Sequence, residues 1–190
     1  MISKTNIIVK KAFSIIEVMI GIFIFTLGLV AIYALLISSL NLSEYNKNAI
    51  IASQLAVEQI EIIRNIRDTN YKTLQAWDNI PWLASKNISE GYFTVENNIS
   101  TGGYNIQAIS GFKEGKEYVN DMQVYRLYLT ADTNQYTYST TNTSETNFYR
   151  YLYIEEISQD TYLLRSRVIW NVRWYHDYDI ETIITDWRRL

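Results

Sequence analysis

The chain has 190 residues, 48% of them hydrophobic, with 16 tyrosines and 5 tryptophans, enough apolar material for one packed domain plus an appendage. It contains no cysteine, which excludes disulfides, thiol catalysis and cysteine-ligated metals. A net charge of −3 argues against a body that attracts nucleic acid as a whole.

The charge is unevenly placed. Lys4, Lys10 and Lys11 are the only charged residues before Glu17, so taking these three positives from −3 would leave −6. From Val18 to Ser43 there is no charged residue, a run of 26. As helix it would reach roughly 39 Å at about 1.5 Å per residue, more than the roughly 30 Å of bilayer hydrocarbon. It also exceeds the about 7–15 apolar residues of a secretory signal. Lysines on its N-terminal side place that end in the cytoplasm. The expectation is a single-pass anchor with its bulk outside. Glu17 does not fit a plain anchor. A carboxylate in the bilayer costs roughly 2.5–3.5 kcal/mol on insertion scales and needs a partner.

Only Gly21 and Gly28 interrupt helix-compatible sequence before Gly91, and the sole proline is Pro81. A long helix over 13–67 is therefore expected, with 13–43 inserted in the membrane and 44–67 amphipathic. In the second part Ile51, Leu55, Ile62 and Ile66, beside Ala52, Ala56 and Ile63, fall on one arc. Ser53, Gln54, Glu58, Glu61, Arg64 and Asn65 fall on the other. The apolar stripe should pack against a sheet built from 68–190.

"DTNYKTLQAWDNIPWLASKN" (68–87) is polar and turn-prone and reads as the exit from the helix. Beyond it the period becomes two. "YFTVENNIS" and "YNIQAIS", separated by Gly102-Gly103, suggest a hairpin. "MQVYRLYLT" (122–130) and "FYRYLYI" (148–154) read as strands with aromatic residues on both faces. "TNQYTYSTTNTSETN" (133–147) is poor in aliphatics and reads as a long exposed loop or hairpin tip. In "LRSRVIWNVRW" Leu164, Ser166, Val168, Trp170, Val172 and Trp174 alternate with Arg165, Arg167, Ile169, Asn171 and Arg173, the pattern of a half-buried strand. "IETIIT" (180–185) should return antiparallel to it through a turn at "YHDYD". The fold class is α+β, one long helix against an antiparallel sheet.

"KKAFSIIEVMIGIFIFTLGLV" (10–30) resembles the N-terminal signature of type IV prepilins and pseudopilins: a short basic leader, a small residue, Phe, a hydroxyl residue, two aliphatics, Glu and a long apolar helix. The match covers residues 10–40, and "NAIIASQLAVEQIEIIRNIRDTNY" is similar to the helix continuation of minor pilins. The tail "VIWNVRW…ETIITDW" is similar to the closing hairpin of some of them. The resemblance implies a type IV pilin-like fold and a leader of residues 1–12. It also implies cleavage between Ala12 and Phe13 by a prepilin peptidase and N-methyltransferase, and methylation of the new Phe13 amine. The partners implied are that enzyme, other pilin subunits, an inner-membrane assembly platform and, before assembly, the lipid bilayer. The released amine titrates near 7.7–8.0. At about 4 Å and an effective dielectric near 20 it attracts a carboxylate by roughly 4 kcal/mol, comparable to the insertion cost of Glu17. Glu17 lies one turn from its own Phe13 amine, whereas in the family it is read as contacting a neighbouring subunit's amine; both pairings remain open. Ala12 stands where glycine is usual, and no proline softens the apolar helix, which favours a minor pilin or pseudopilin over a major pilin. A secretion or DNA-uptake pseudopilin is the related alternative, and an uncleaved, membrane-anchored β-domain acting as a binding module is the rival from another class.

Other motifs are weighed against plainer uses. Arg165, Arg167 and Arg173 share a face that could meet DNA, but a solvated face with cross-strand partners such as Glu155 or Glu181 is expected. "HDYD" (176–179) offers a conceivable metal site, but a hairpin turn accounts better for Asp177 and Asp179. Glu155 and Glu156 point to opposite faces of a strand and are no acid/base pair. The sequons at Asn41, Asn87, Asn98 and Asn142 are expected by chance in so asparagine- and serine-rich a chain. Without a serine–histidine or phosphate-loop constellation, no catalysis, cofactor or metal is expected.

Overall fold

A computed structural model describes residues 14–72, 90–98, 103–112, 123–158 and 161–186. Among the described residues one helix, α1 (Ile15–Lys72), precedes seven strands. These are β1 (Gly91–Asn98), β2 (Gly103–Ala108), β3 (Arg126–Thr130), β4 (Tyr136–Thr137), β5 (Thr143–Ser158), β6 (Thr161–Val172) and β7 (Trp174–Thr185). The chain divides into two compact units, Met1–Glu44 and Tyr45–Leu190.

The first unit contains the N-terminal part of α1, in which every residue from Ser14 to Leu40 is exposed. This is the uncharged run, long and apolar enough to cross a membrane and with none of its apolar window buried. The Thr26 hydroxyl donates to the Ile22 carbonyl at 2.8 Å, so that hydroxyl is satisfied by its own helix.

The second unit is an α+β head. The rest of α1 lies against one antiparallel seven-stranded sheet. The long strand β5 organises that sheet. It pairs along its length with β6, which pairs in turn with β7. Its other side is shared between β1, at Gly91–Phe93, and β3, which meets Thr143–Tyr149. β2 extends β1, and β4 extends β3. Period-two alternation decides what is buried. On β6, Tyr162, Leu164, Ser166, Val168 and Trp170 are all buried and their odd-numbered neighbours are half-exposed.

Two apolar clusters join helix to sheet. Ala52, Leu55 and Ala56 pack with Leu127, Phe148, Val168 and Trp170. The alanines leave room for the indole of Trp170. Further along, Ile62, Ile63 and Ile66 pack with Phe93, Val95, Ile106, Leu152, Ile154, Leu164 and Ile184. The other face of the sheet carries its own aromatic layer. Tyr92 stacks on Phe112 at a ring separation of 3.8 Å, and Tyr125, Tyr149 and Tyr151 are buried around them.

Several boundaries differ from the sequence expectation. α1 continues through Lys72, past Arg67, because nothing in "DTNYK" forbids helix and Asn70 packs inward, 3% exposed. Pro81 lies outside the described residues. β3 starts at Arg126, after a short 3-10 turn over 123–125. The segment 133–147 is not a loop throughout: it contains β4 and the first residues of β5, held by pairs such as Tyr128 with Thr137 and Leu129 with Ser144. Nor is "YHDYD" a turn. β7 begins at Trp174, directly opposite Val172, and the reversal is made by Arg173 alone, at φ 69°. His176, Asp177 and Asp179 are therefore strand residues paired with Trp170, Ile169 and Arg167.

Candidate functional site

Ala12 and Phe13, with Lys4, Lys10 and Lys11, lie outside the described residues. Glu17 is in the first turn of α1 and exposed. The Ser14 carbonyl opens the helix by accepting from the Glu17 amide at 3.0 Å and the Val18 amide at 3.3 Å. A carboxylate there faces the positive end of the helix dipole, which favours it by about 0.3–1 kcal/mol. The arrangement presents one acceptor-only group at the start of a bare apolar rod. It can take a cation from outside the helix.

In the head, Leu55, Ile62 and Ile66 are 5%, 5% and 3% exposed, and Ile51 is half-buried beside the Trp170 cluster. The seam has a polar centre that sequence reasoning missed. Arg150, on the helix-facing side of β5, is fully buried. Its Nη1 donates to the Leu55 carbonyl at 3.1 Å and pairs with Glu58 Oε2 at 2.6 Å. Nη2 donates to the Val95 carbonyl at 3.0 Å, and Nε to the Tyr138 hydroxyl at 3.2 Å. The same hydroxyl donates to the Arg150 carbonyl at 2.9 Å and accepts from Gln59 Nε2 at 3.3 Å. Gln59 Oε1 in turn accepts from the Ser166 hydroxyl at 2.7 Å. One guanidinium thus ties α1, β1 and β4's flank to β5, with its polar neighbours satisfied. Burial opposes its charge, but Tyr138 and Glu58 outweigh that and hold the guanidinium more firmly protonated than usual. Burial pushes the Tyr138 hydroxyl up, against the pull of Arg150.

Of the polar arc, Glu58 is therefore drawn into the seam as the ion partner of a core cation, and its neighbour Gln59, assigned to neither arc, is fully buried. A signal was available. In "FYRYLYI" Arg150 is in phase with Phe148, Leu152 and Ile154, so period two puts a lone cation on the apolar face, where it must find a carboxylate.

The arginine face is spent internally. Arg165 Nε donates to Glu181 at 2.5 Å, from directly across the strand pair. Arg167 holds both Asp177, at 3.0 Å, and Asp179, at 2.8 Å. Burial pushes the Asp179 carboxyl up despite Arg167, and Asp177 adds to that. Arg173 does not share this face, because it makes the turn. Strand alternation puts His176 on the opposite side from the two aspartates, where its ring stacks on Trp170 at 5.4 Å and meets Tyr45 edge-on at 5.1 Å. Among the described residues no group of three or more His, Asp and Glu side chains is placed to hold a metal.

A family model described as the prokaryotic N-terminal methylation motif matches residues 9–33. That span includes Lys10, Lys11, Ala12, Phe13 and Glu17 and ends within the uncharged half of α1. No curated protein and no solved structure matches the chain significantly. The motif implies processing by a prepilin peptidase, membrane anchoring and assembly with other pilins, and the proteins that bear it are structural. The chain carries the N-terminal signature of the type IV prepilins and pseudopilins.

Proposed function

We propose that this protein is a minor pilin or pseudopilin, cleaved after Ala12, N-methylated at Phe13 and packed through the uncharged half of α1 into a type IV pilus or related filament. The observation that carries the reading is the pairing of the methylation motif with a helix whose residues from Ser14 to Leu40 are all exposed. Burying an exposed leucine- or phenylalanine-sized side chain is worth about 1.5–3 kcal/mol, so a rod of them needs lipid or neighbouring helices. In the bilayer it stands as a single-pass anchor with its N-terminus in the cytoplasm. In the filament the same side chains meet those of other subunits. Glu17 pairs with an N-terminal amine that exists only after cleavage, and this fixes the axial register of adjacent helices. The head initiates or decorates the fibre. Mass spectrometry of protein from sheared filaments tests the reading: the expected N-terminus is methylated Phe13. An intact leader through Ala12 in assembled material contradicts it and leaves the membrane-tethered β-domain.

A further inference from the structure

The head contains a cleft of about 580 Å³, between the Ile51–Glu58 stretch of α1, the end of β1 and the β3–β4 connection. This is within the roughly 300–1,000 Å³ of small-ligand sites. Its chemistry is specific in what it lacks. Among the described residues no lysine, arginine or histidine lines it, so an anion finds no counter-charge there. Its two carboxylates already have donors. Glu58 pairs with Arg150. Glu96 accepts from the Thr137 hydroxyl and the Tyr138 amide, both at 2.9 Å, and from Asn105 Nδ2 at 3.0 Å. A cation would have to compete with these bonds.

What remains unspent is neutral. Among the described residues, the side-chain amides of Gln54, Asn97, Asn134 and Gln135 all line the cleft and make no hydrogen bond within the protein. Each offers both donors and an acceptor. Ile51, Leu55 and Tyr136 supply apolar surface beside them. The wall carrying two of the amides is pre-formed. Thr130 Oγ1 meets Thr133 Oγ1 at 2.6 Å and accepts from the Gln135 backbone N–H at 3.0 Å, while the Asn134 backbone N–H donates to the Thr130 carbonyl at 3.1 Å.

We infer that this cleft binds a neutral saccharide of one or two rings. Such a ligand presents hydroxyls that both donate and accept, matched by amides, and a C–H face that packs on aliphatic and aromatic carbon. All the lining residues named belong to the second unit, so the site forms without cleavage or assembly.

The test uses the full chain in a zwitterionic detergent that has no sugar headgroup. Saturation-transfer NMR and calorimetry are run with neutral hexoses, N-acetylhexosamines and their disaccharides at millimolar concentration. At least one should bind saturably. Gln54→Ala and Asn134→Gly, the latter chosen to keep the φ of 52°, should each weaken it about tenfold, the loss of one well-made hydrogen bond. Neither should shift the melting of the head, because both side chains make no bond inside it. Absence of saturable binding to any of these sugars overturns the inference. So does binding that survives both substitutions unchanged, or a site that takes only amines or basic peptides.

Discussion

The two parts of α1 belong to one continuous helix and obey opposite rules. Before Glu44 the helix is almost wholly apolar and buries nothing. From Tyr45 onward it is mixed, and Ala52, Leu55, Ala56, Gln59, Ile60, Ile62, Ile63, Ile66 and Asn70 are buried. Apolar content therefore does not decide burial within this chain; periodicity does. A stripe finds a sheet that fits one face, whereas a rod that is apolar all round is matched only by a surrounding that is apolar all round.

Substitutions can break this comparison, beginning with the largest effect. Arg150→Ala should destabilise the head by about 3–5 kcal/mol, read in chemical denaturation, because Leu55, Val95, Tyr138 and Glu58 lose their shared partner. Membrane insertion should be unaffected. Arg150→Lys should recover little, since one ammonium cannot reach two carbonyls, a hydroxyl and a carboxylate in that fork geometry. If Arg150→Ala leaves stability unchanged, the polar centre is incidental. Leu55→Ala should cost about 2–5 kcal/mol by cavity formation. Leu35→Ala, at 70% exposure on the other part of the same helix, should leave the melting of the head where it was. Equal losses at the two positions would erase the distinction.

A smaller effect concerns pH. Burial raises the Tyr138 hydroxyl above its ordinary 10.0, so the folded head binds that proton more tightly than the unfolded chain. The resulting stability is fully present below pH 10 and is lost as pH rises through the raised value. Tyr138→Phe should lower stability at neutral pH and flatten its decline above pH 10. An unchanged alkaline slope would show that the hydroxyl titrates as in the unfolded chain.

How much of this was legible in the sequence follows from what each element depends on. α1 and β6 are written in their own periodicity: an uncharged run, an arc of isoleucines and leucines, a strict alternation from Leu164 to Trp170. The β3–β4–β5 meander is not. Thr137, Thr143 and Ser144 are strand residues because Tyr128, Thr130 and Leu129 lie opposite them, a non-local fact that a threonine- and asparagine-rich stretch conceals. Asp177 and Asp179 resemble turn residues for the same reason, although Arg167 across the ladder gives both a strand role. The one-residue reversal at Arg173 carries no glycine or asparagine to announce it. At the N-terminus the signature was readable because it is local, from Lys10 to the apolar run.

The central claim is that Glu17 serves a partner absent from the isolated chain, and incorporation measures it most directly. Tagged Glu17→Ala expressed beside the unaltered protein should insert, be cleaved before Phe13 and keep the melting of its head. It should be at least about tenfold depleted in sheared filaments, since one charge pair of a few kcal/mol is lost. Filaments that take up the variant and the unaltered protein equally would contradict the account.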